Sequence, residues 1–202
     1  DGDGDIDLIT TASSIDNRVL WLENTDGNGN FYDQHLIAEG SEFAVDIDLF
    51  SADLDGDDDM DIVVAYKGDN KVVWFENIDG NGNFSLEHIL NTNAYYVESV
   101  FVSDMDGDGD PDIVSASSGD SEIEWYENID GNGNFSESII ISDEAGTCIQ
   151  LIADDIDGDG DNDLITISAY YDIVIYSNID GFANFGAAQV INAAYIDDIK
   201  FI

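Results

Sequence analysis

Aspartates at every second position form the chemical motif that recurs along this sequence. The nine-residue segments 53–61, 104–112 and 155–163 carry aspartate at their first, third, fifth, seventh and ninth positions. The chain begins inside a fourth copy, residues 1–7, which lacks the first two positions. Neighbouring carboxylates repel one another by about 1 kcal/mol per pair even in water, so a folded loop that holds five of them requires a cation.

Carboxylate oxygens without neighbouring cysteine or histidine select calcium over zinc or copper. We expect the side chains of the first, third, fifth and ninth residues to coordinate the ion, and the seventh residue to offer its backbone carbonyl. This predicts about one Ca²⁺ per repeat, in three complete loops and one truncated loop. The predicted metal-site residues are Asp1, Asp3, Asp5, Asp7, Asp53, Asp55, Asp57, Asp59, Asp61, Asp104, Asp106, Asp108, Asp110, Asp112, Asp155, Asp157, Asp159, Asp161 and Asp163.

The second loop departs from the pattern at its sixth position. Asp58 stands there in place of glycine, the residue that adopts left-handed backbone conformations without strain. We therefore predict that this loop binds its ion most weakly. An EF-hand matches the motif less well, because the twelfth residue of each complete copy is Val, Ser or Thr rather than Glu.

A second motif follows each loop and shows that the chain is a repeat protein. It reads Trp-Leu-Glu-Asn-Thr-Asp-Gly-Asn-Gly-Asn-Phe in its first copy. The copies occupy residues 21–31, 74–84, 125–135 and, in a shorter form, 176–185. Asp53, Asp104 and Asp155 follow one another at intervals of 51 residues. The chain is thus predicted to be one repeat domain with units at approximately 1–52, 53–103, 104–154 and 155–202.

Short apolar runs bounded by Gly, Asn and Asp predict four antiparallel strands in each unit. In the second unit these are approximately residues 43–50, 62–66, 71–76 and 84–90. Four strands in a repeat of about 51 residues indicate an all-β fold made of β-propeller blades. The last eight residues match the strand that precedes each acidic loop, so the units are circularly cut. A closed four-bladed ring, a fragment of a larger propeller and one period of an array are all consistent with this pattern.

Taken together, the two motifs resemble FG-GAP and VCBS-type repeats, which are related to the calcium-binding blades of integrin α-subunit propellers. The resemblance covers essentially the whole chain. It implies propeller blades with one calcium in the loop between the first and second strands of each blade. It also implies a secreted or cell-surface location and a binding or structural role. Such propellers commonly have seven blades, whereas this sequence has four units.

The charge balance excludes several classes of partner. The chain has 4 Lys+Arg against 46 Asp+Glu and a formal net charge of −42. Nucleic-acid binding requires clustered cations, and an anionic membrane surface repels such a chain. No apolar run approaches the roughly 18 residues of a membrane span, so membrane insertion is not expected. With 44% hydrophobic residues the chain can nevertheless bury a core.

Catalysis is not expected from this sequence. His35 and His88 align with Ile139 and Gln189 in the other units, so the fold does not require histidine there. A polysaccharide lyase or hydrolase is less favoured, because basic residues are scarce and the conspicuous carboxylates lie in repeated loops. We find no carboxylate that breaks the repeat at one unique place, as an active site would.

Three weaker signals each have two interpretations. The Asp-Gly-Asn-Gly-Asn segments could bind a second cation, but they are better explained as hairpin turns. Asn83 and Asn134 begin Asn-Phe-Ser sequons and are candidate glycosylation sites. Trp21, Trp74 and Trp125 could stack on sugars, although packing between blades explains their equivalent positions better.

The favoured function is a non-catalytic extracellular calcium-binding module with an adhesive, matrix or filament-building role. Its expected partners are calcium, other copies of itself, or a cell-surface protein or glycan. The alternative is a calcium-dependent, lectin-like module that uses exposed aromatic side chains. The aromatic residues named for that role are Tyr95, Tyr96, Tyr170 and Tyr171.

Overall fold

The structure is a computed structural model that describes residues 1–12, 17–40, 47–168 and 172–192. These residues form fifteen β-strands and one short 3-10 turn at Lys67–Asp69. None of the described segments contains a helix with the length and apolar character of a membrane span. The prediction of an all-β chain is therefore confirmed. Tyr170, Tyr171 and the predicted final strand at 195–202 lie outside the described residues.

The strands form four antiparallel sheets in which consecutive strands pair. Blade 1 has three described strands, β1 (Leu8–Ala12), β2 (Arg18–Glu23) and β3 (Asp33–Glu39). Blade 2 has β4 (Ile47–Ala52), β5 (Asp61–Tyr66), β6 (Lys71–Phe75) and β7 (His88–Asn91). Blade 3 has β8 (Val97–Ser103), β9 (Asp112–Ser117), β10 (Glu122–Tyr126) and β11 (Ile139–Ser142). Blade 4 has β12 (Cys148–Asp154), β13 (Asp163–Ser168), β14 (Asp172–Tyr176) and β15 (Gln189–Asn192).

The predicted four-stranded unit is confirmed, with one error at its last strand. The sequence pattern predicted a strand over residues 84–90, but β7 begins only at His88. Phe84 instead makes an isolated bridge to Asn77, and the Ser85 N–H donates to the carbonyl of Glu76 at 2.8 Å. These contacts close the turn that precedes the strand, so residues 84–87 belong to the turn. Of the predicted strand over residues 43–50, the described part begins at Ile47.

The second strand of each complete blade is the most deeply buried. Every residue of β5, β9 and β13 is buried, whereas half of β7 and β11 is exposed. A strand covered on both faces needs a continuous apolar run rather than an alternating one. The Val- and Ile-rich runs that follow the acidic loops meet this requirement, so each acidic loop is anchored directly to the core.

Apolar clusters join each blade to the next. Val63 of blade 2 packs in one cluster with Val100 and Ile113 of blade 3, and similar clusters join blades 1 and 2 and blades 3 and 4. The first strands of blades 2, 3 and 4 lie side by side. The rings of Phe50 and Phe101 are 4.8 Å apart between β4 and β8. Side-by-side packing of four-stranded meanders is the arrangement of propeller blades.

Candidate metal centre

The acidic loops connect the first and second strands of their blades. Loop 2 (residues 53–61) follows β4, loop 3 (104–112) follows β8, and loop 4 (155–163) follows β12. Each is closed by antiparallel pairing at its base, for example between Ala52 and Asp61. Loop 1, residues 1–7, leads into β1. Loops 2, 3 and 4 therefore lie where the family resemblance places a calcium, whose binding stays a prediction.

Three carboxylates converge in each complete loop. Oxygens of Asp53, Asp55 and Asp57 all lie within 4.8 Å of one another. The same holds for Asp104, Asp106 and Asp108, and for Asp155, Asp157 and Asp159. Two oxygens that share a Ca²⁺ at about 2.4 Å each are at most about 4.8 Å apart. The spacing of the oxygens at the first, third and fifth positions is thus compatible with a shared divalent cation, and the identity of that cation as calcium stays a prediction.

The first aspartate of the loop shapes the backbone around this triad. In loop 2, Asp53 Oδ1 accepts the N–H of Gly56 at 2.8 Å, and its Oδ2 accepts the N–H of Asp58 at 3.0 Å. Gly56 and Asp58 have φ angles of 76° and 71°. The predicted left-handed conformation at Asp58 is therefore confirmed, and a residue with a side chain is strained there.

The ninth aspartate is turned towards the protein backbone. Asp61 Oδ2 accepts the N–H of Leu54 at 2.9 Å, and Oδ1 accepts the N–H of Asn77 at 2.8 Å. The same pair of bonds is present at Asp112 and Asp163. Among the described residues, the close triads do not include this position. It ties the loop to the end of the third strand, and its role as a metal ligand stays a prediction.

The seventh aspartate lies against the glycine of the second motif in its own blade. A Cβ added to Gly80, which has a φ of 64°, would overlap the carboxylate of Asp59, so a side chain there requires that carboxylate to move. Asp5 with Gly27, Asp110 with Gly131 and Asp161 with Gly181 repeat the arrangement. The side chain of the seventh residue thus packs against the second motif, and the role of its backbone carbonyl as a metal ligand stays a prediction.

The loops carry an electrostatic cost without a cation. Desolvation raises the pKa of Asp55, and the charge of the neighbouring Asp57 raises it further. The pKa values of Asp106 and Asp157 are raised for the corresponding reasons. Burial raises the pKa of Asp61 to about 6 and that of Asp112 to about 7, although backbone N–H bonds oppose the shift. A bound divalent cation favours the ionised carboxylates and removes this cost.

Loop 1 has the same turn contacts, and the same contact of the ninth position, as the complete loops. Asp7 corresponds to the ninth position and accepts the N–H of Asn24 at 2.8 Å. Asp3 and Asp5 donate their N–H groups to Asp1 and Asp3 in the same kind of turn. The sequence begins after the first position of this loop, so its complete ligand set is not part of the described structure.

The Asp-Gly-Asn-Gly-Asn segments behave as turns. Asp79 accepts the N–H of Asn81 at 3.1 Å and the Nδ2 of Asn83 at 2.7 Å. The bond from Asn83 holds the pKa of Asp79 below its usual value. Its carboxylate is therefore satisfied by amides, which supports the hairpin-turn interpretation. Asn83 and Asn134 are exposed, and glycosylation there stays a prediction.

The tryptophan repeated in the first three units packs between blades, as predicted. Trp21 and Trp74 are 7% and 4% exposed. A Cβ added to Gly82 of blade 2 would overlap the ring of Trp21, and one added to Gly133 of blade 3 would lie 2.8 Å from Trp74. Within their blades these rings stack on His35 and His88, at centroid distances of 4.4 and 4.5 Å.

The sequence reasoning missed the asparagine that follows each third strand. Asn128 Nδ2 donates to the carbonyl of Leu54 in loop 2 at 2.8 Å, and Asn178 Nδ2 donates to the carbonyl of Met105 in loop 3 at 2.8 Å. Each side chain thus reaches from its own blade to the acidic loop of the preceding blade. Its presence in all four copies of the second motif was the available signal.

One buried carboxylate does break the repeat, contrary to the sequence-based expectation. Glu124 is 5% exposed and stands where blades 1, 2 and 4 have Leu or Val. Its oxygens accept the Nδ2 of Asn91 at 3.1 and 2.9 Å, and the Tyr126 hydroxyl donates to Oε2 at 3.3 Å. The sequence analysis did not identify this residue, because a Glu within a strand is ordinarily assigned to the face exposed to solvent. Its contacts bridge blades 2 and 3.

Two of the exposed aromatic side chains form a pair at the end of the blades opposite the acidic loops. Tyr95 and Tyr96 are 49% and 45% exposed, with ring centroids 4.7 Å apart. Tyr96 has a φ of 54°, and its N–H donates to Asn70 Oδ1 at 2.8 Å. The backbone bonds on both sides of this pair hold it in place between blades 2 and 3.

Comparison with known proteins adds two findings. The model of the FG-GAP-like repeat matches three overlapping segments, residues 1–64, 53–115 and 104–166. No curated protein matches the sequence. A solved structure that resembles the chain is that of a lectin from Agrocybe aegerita, described for its specific recognition of non-reducing terminal N-acetylglucosamine. The TM-score is 0.65 at 22% identity, with 94% of this chain and 49% of that chain covered, so this chain spans about half of its length.

Proposed function

The chain belongs to the FG-GAP-like repeat family, and from this premise we propose that it is a non-catalytic, calcium-binding β-propeller module. It works outside the cell as an adhesive, matrix or filament-building element. The observation that carries the proposal is the convergence of three carboxylates, within 4.8 Å, at the same place in three successive blades. Its partners are other copies of itself or a cell-surface protein or glycan.

Calcium at extracellular concentration would decide whether this chain is folded. Extracellular calcium sites have dissociation constants of about 10⁻⁴ to 10⁻³ M. At about 1 mM calcium and a dissociation constant of about 0.1 mM, each ion adds about 1.4 kcal/mol to the free energy of unfolding. Three or four ions would add about 4–6 kcal/mol, which is comparable to the whole stability of many domains.

The described carboxylates support a structural role over a catalytic one. Those of the loops recur from blade to blade, and the exceptional Glu124 is buried within hydrogen-bonding distance of protein groups. A catalytic carboxylate must reach a substrate, whereas Glu124 contacts Asn91 and Tyr126. The scarcity of basic residues also disfavours an acidic polysaccharide substrate.

Thermal unfolding with and without calcium tests the proposal. We expect EDTA to lower the melting temperature by many degrees, and calcium to restore it, while NaCl of equal ionic strength does not. A triple variant, Asp55→Asn, Asp106→Asn and Asp157→Asn, removes one carboxylate from each triad and should abolish the calcium effect. A matched control, Asp33→Asn, Glu137→Gln and Asp143→Asn, removes the same charge from exposed sites and should retain it. Equal protection by both salts would mean that calcium only screens charge.

A carbohydrate-binding role is the second candidate. The likeness to the lectin shows a shared fold and suggests this role. The observation on this chain that supports it is the exposed pair Tyr95 and Tyr96. An exposed tyrosine ring offers an apolar face on which the apolar face of a sugar can stack, and a hydroxyl that can form a hydrogen bond. Glycan-array binding that is lost in Tyr95→Ala and Tyr96→Ala variants would support this role. Absence of binding at millimolar ligand would remove it.

A further inference from the structure

A continuous series of hydrogen bonds connects the acidic loops of neighbouring blades. In loop 2, the N–H of Leu54 donates to Asp61, and its carbonyl accepts the Nδ2 of Asn128 from blade 3 at 2.8 Å. The backbone N–H of Asn128 then donates to Asp112 Oδ1 at 2.8 Å. Asp112 Oδ2 accepts the N–H of Met105 at 3.0 Å, at the second position of loop 3. We refer to this series as the relay.

The relay continues from loop 3 to loop 4 through the equivalent residues. The carbonyl of Met105 accepts the Nδ2 of Asn178 at 2.8 Å. The N–H of Asn178 donates to Asp163 Oδ1 at 2.8 Å, and Asp163 Oδ2 accepts the N–H of Ile156 at 3.2 Å. The second residue of one loop is thus connected to the second residue of the next by the same set of bonds in both intervals.

The groups that form the relay are removed from water, except at its end in loop 4, where Ile156 is 41% exposed. Leu54, Asn128 and Asp112 are at most 1% exposed, and so are Met105, Asn178 and Asp163. A buried donor or acceptor that loses its partner cannot turn to solvent instead, so breaking a bond between these six residues is costly. The relay therefore behaves as one connected unit rather than as separate surface contacts.

The ligand residues lie directly beside the relay residues in the sequence. Leu54 stands between Asp53 and Asp55, which are both members of the triad in loop 2. An ion that holds these two carboxylates also fixes the two peptide planes of Leu54. Those peptides present the N–H to Asp61 and the carbonyl to Asn128. Met105 stands in the same way between Asp104 and Asp106.

Close backbone contacts accompany the relay at each interval. A Cβ added to Gly56 of loop 2 would lie 2.9 Å from the carbonyl oxygen of Gly131 in blade 3, and one added to Gly107 would lie 3.2 Å from that of Gly181 in blade 4. Loop 4 also contacts loop 3 directly, because Asn162 Nδ2 donates to the carbonyl of Asp104 at 2.8 Å. A loop that shifts when it releases its ion therefore displaces backbone atoms of the next blade.

We propose that the relay couples the loops of neighbouring blades, so that cation binding by one loop raises the affinity of the next and the sites fill cooperatively. This inference rests on the proposed calcium-binding function. An ordered loop 2 holds Asn128 in the position that orders Asp112 and Met105. The free-energy cost of ordering loop 3 when it binds its ion is therefore smaller. Because coupling between binding sites is reciprocal, loop 3 supports loop 2 by the same factor.

Calcium titration of the full chain tests the coupling. The probe is Ca²⁺ alone, and the reporter is the backbone amide resonance of Gly109, which donates to Asp104 in loop 3 at 3.0 Å. We expect Asp55→Asn, which disables loop 2, to weaken calcium binding at loop 3 by about fivefold or more. The change also alters the local charge, because it removes one carboxylate together with the ion of loop 2.

A double-mutant cycle separates the relay from this through-space effect. Asn128→Leu removes the side-chain bond to Leu54, together with a longer one of 3.3 Å to the carbonyl of Pro111 in loop 3, and retains the backbone N–H that Asp112 accepts. The loss of the bond to Pro111 is common to both Asn128→Leu arms of the cycle and cancels in the comparison. In that background, Asp55→Asn should weaken loop 3 by less than in the wild-type chain. Asn77→Leu is the matched control, since it changes the equivalent residue of blade 2 and leaves the relay between loops 2 and 3 intact. In this control the full effect of Asp55→Asn should persist.

The outcomes distinguish the relay from the function on which it rests. If the wild-type chain binds no calcium, the proposed function fails. If it binds calcium but Asp55→Asn has the same effect on loop 3 with and without Asn128→Leu, the relay is overturned and the calcium-binding function stands. Should Asn128→Leu fail to fold, Asn178→Leu provides the same comparison for loops 3 and 4, with Asp106→Asn as the disabling change and the amide of Gly160 as the reporter.

Discussion

The carboxylate of Asp112 accepts the backbone N–H of Asn128 at 2.8 Å and thereby joins the acidic loop of blade 3 to the end of its third strand. Its second oxygen accepts the N–H of Met105 at 3.0 Å. Both bonds require an acceptor, and Asp112 is 1% exposed. The ninth loop position is therefore a structural requirement in addition to any contact it makes with an ion.

Replacement of Asp112 by asparagine tests this structural requirement. The amide offers one acceptor and one donor, so one of the two backbone N–H groups is left unsatisfied in Asp112→Asn. We expect a loss of about 1–3 kcal/mol in the free energy of unfolding, measured by urea at pH 5 without calcium, because the raised pKa of about 7 keeps Asp112 neutral there and the variant removes an acceptor but no buried charge. Asp108→Asn is the control, because it makes the same change from carboxyl to amide at an exposed position of the same loop. Equal loss in both variants would contradict the assignment.

Glycine at position 58 should relieve the strain of loop 2. Asp58 has a φ of 71°, whereas the corresponding residues Gly109 and Gly160 have φ angles of 96° and 99°. A left-handed conformation costs a residue with a side chain about 1 kcal/mol. We expect Asp58→Gly to raise the free energy of unfolding by about that amount and Gly109→Asp to lower it. Unchanged urea midpoints in both variants would show that the loop bears no strain there.

The contact of Trp21 with blade 2 can be measured with two equivalent glycines. Gly29 and Gly82 have φ angles of 79° and 76°, but only an added Cβ at Gly82 would overlap the ring of Trp21. Gly29→Ala should therefore cost only the left-handed strain of about 1 kcal/mol. Gly82→Ala should cost a further 1–3 kcal/mol, roughly, because the ring must move out of a packed position. Equal melting temperatures for the two variants would mean that the blades do not pack through this residue.

The stability of the calcium-free chain should fall as the pH rises from about 4 to 7. Burial raises the pKa of Asp61 to about 6 and that of Asp112 to about 7, above the ordinary value of 3.8. Between the ordinary and the raised values the folded state binds more protons than the unfolded state, so the free energy of unfolding decreases with increasing pH. Thermal melts in calcium-depleted buffers at pH 5, 6, 7 and 8 measure this trend.

Calcium should reverse that trend, because protons and the cation compete for the loop carboxylates. With saturating calcium we expect the melting temperature at pH 8 to exceed that at pH 5. The variant Asp112→Asn removes one of the two carboxyl groups whose pKa is raised furthest, so the calcium-free melting temperature of this variant should depend less on pH. A calcium-free melting temperature that rises between pH 5 and 8 would contradict the assignment of the two buried acids.

The features that depend on neighbouring residues were predictable from the sequence. Alternating aspartates within nine residues define the turn, the cluster of charge and the preference for a hard cation, since all the groups involved lie in one short loop. Apolar runs bounded by turn residues predicted β5 and β6; the predicted start of β6 is correct and that of β5 is one residue late. The left-handed conformation of Asp58 followed from the glycines at the equivalent positions. The start of β7 was misplaced because Phe84 reads as a strand residue but pairs only with Asn77.

Only the tertiary structure decided which groups meet across blades. Asn128 and Leu54 are 74 positions apart, and Asn91 and Glu124 are 33 apart, so no local pattern indicates that they share a hydrogen bond. The role of Asp61 likewise depends on Asn77, which follows β6 and is 16 positions away. A sequence period shows that units are alike. The contacts between units arise only when the packed sheets place distant backbone groups within reach, where burial leaves them no other partner.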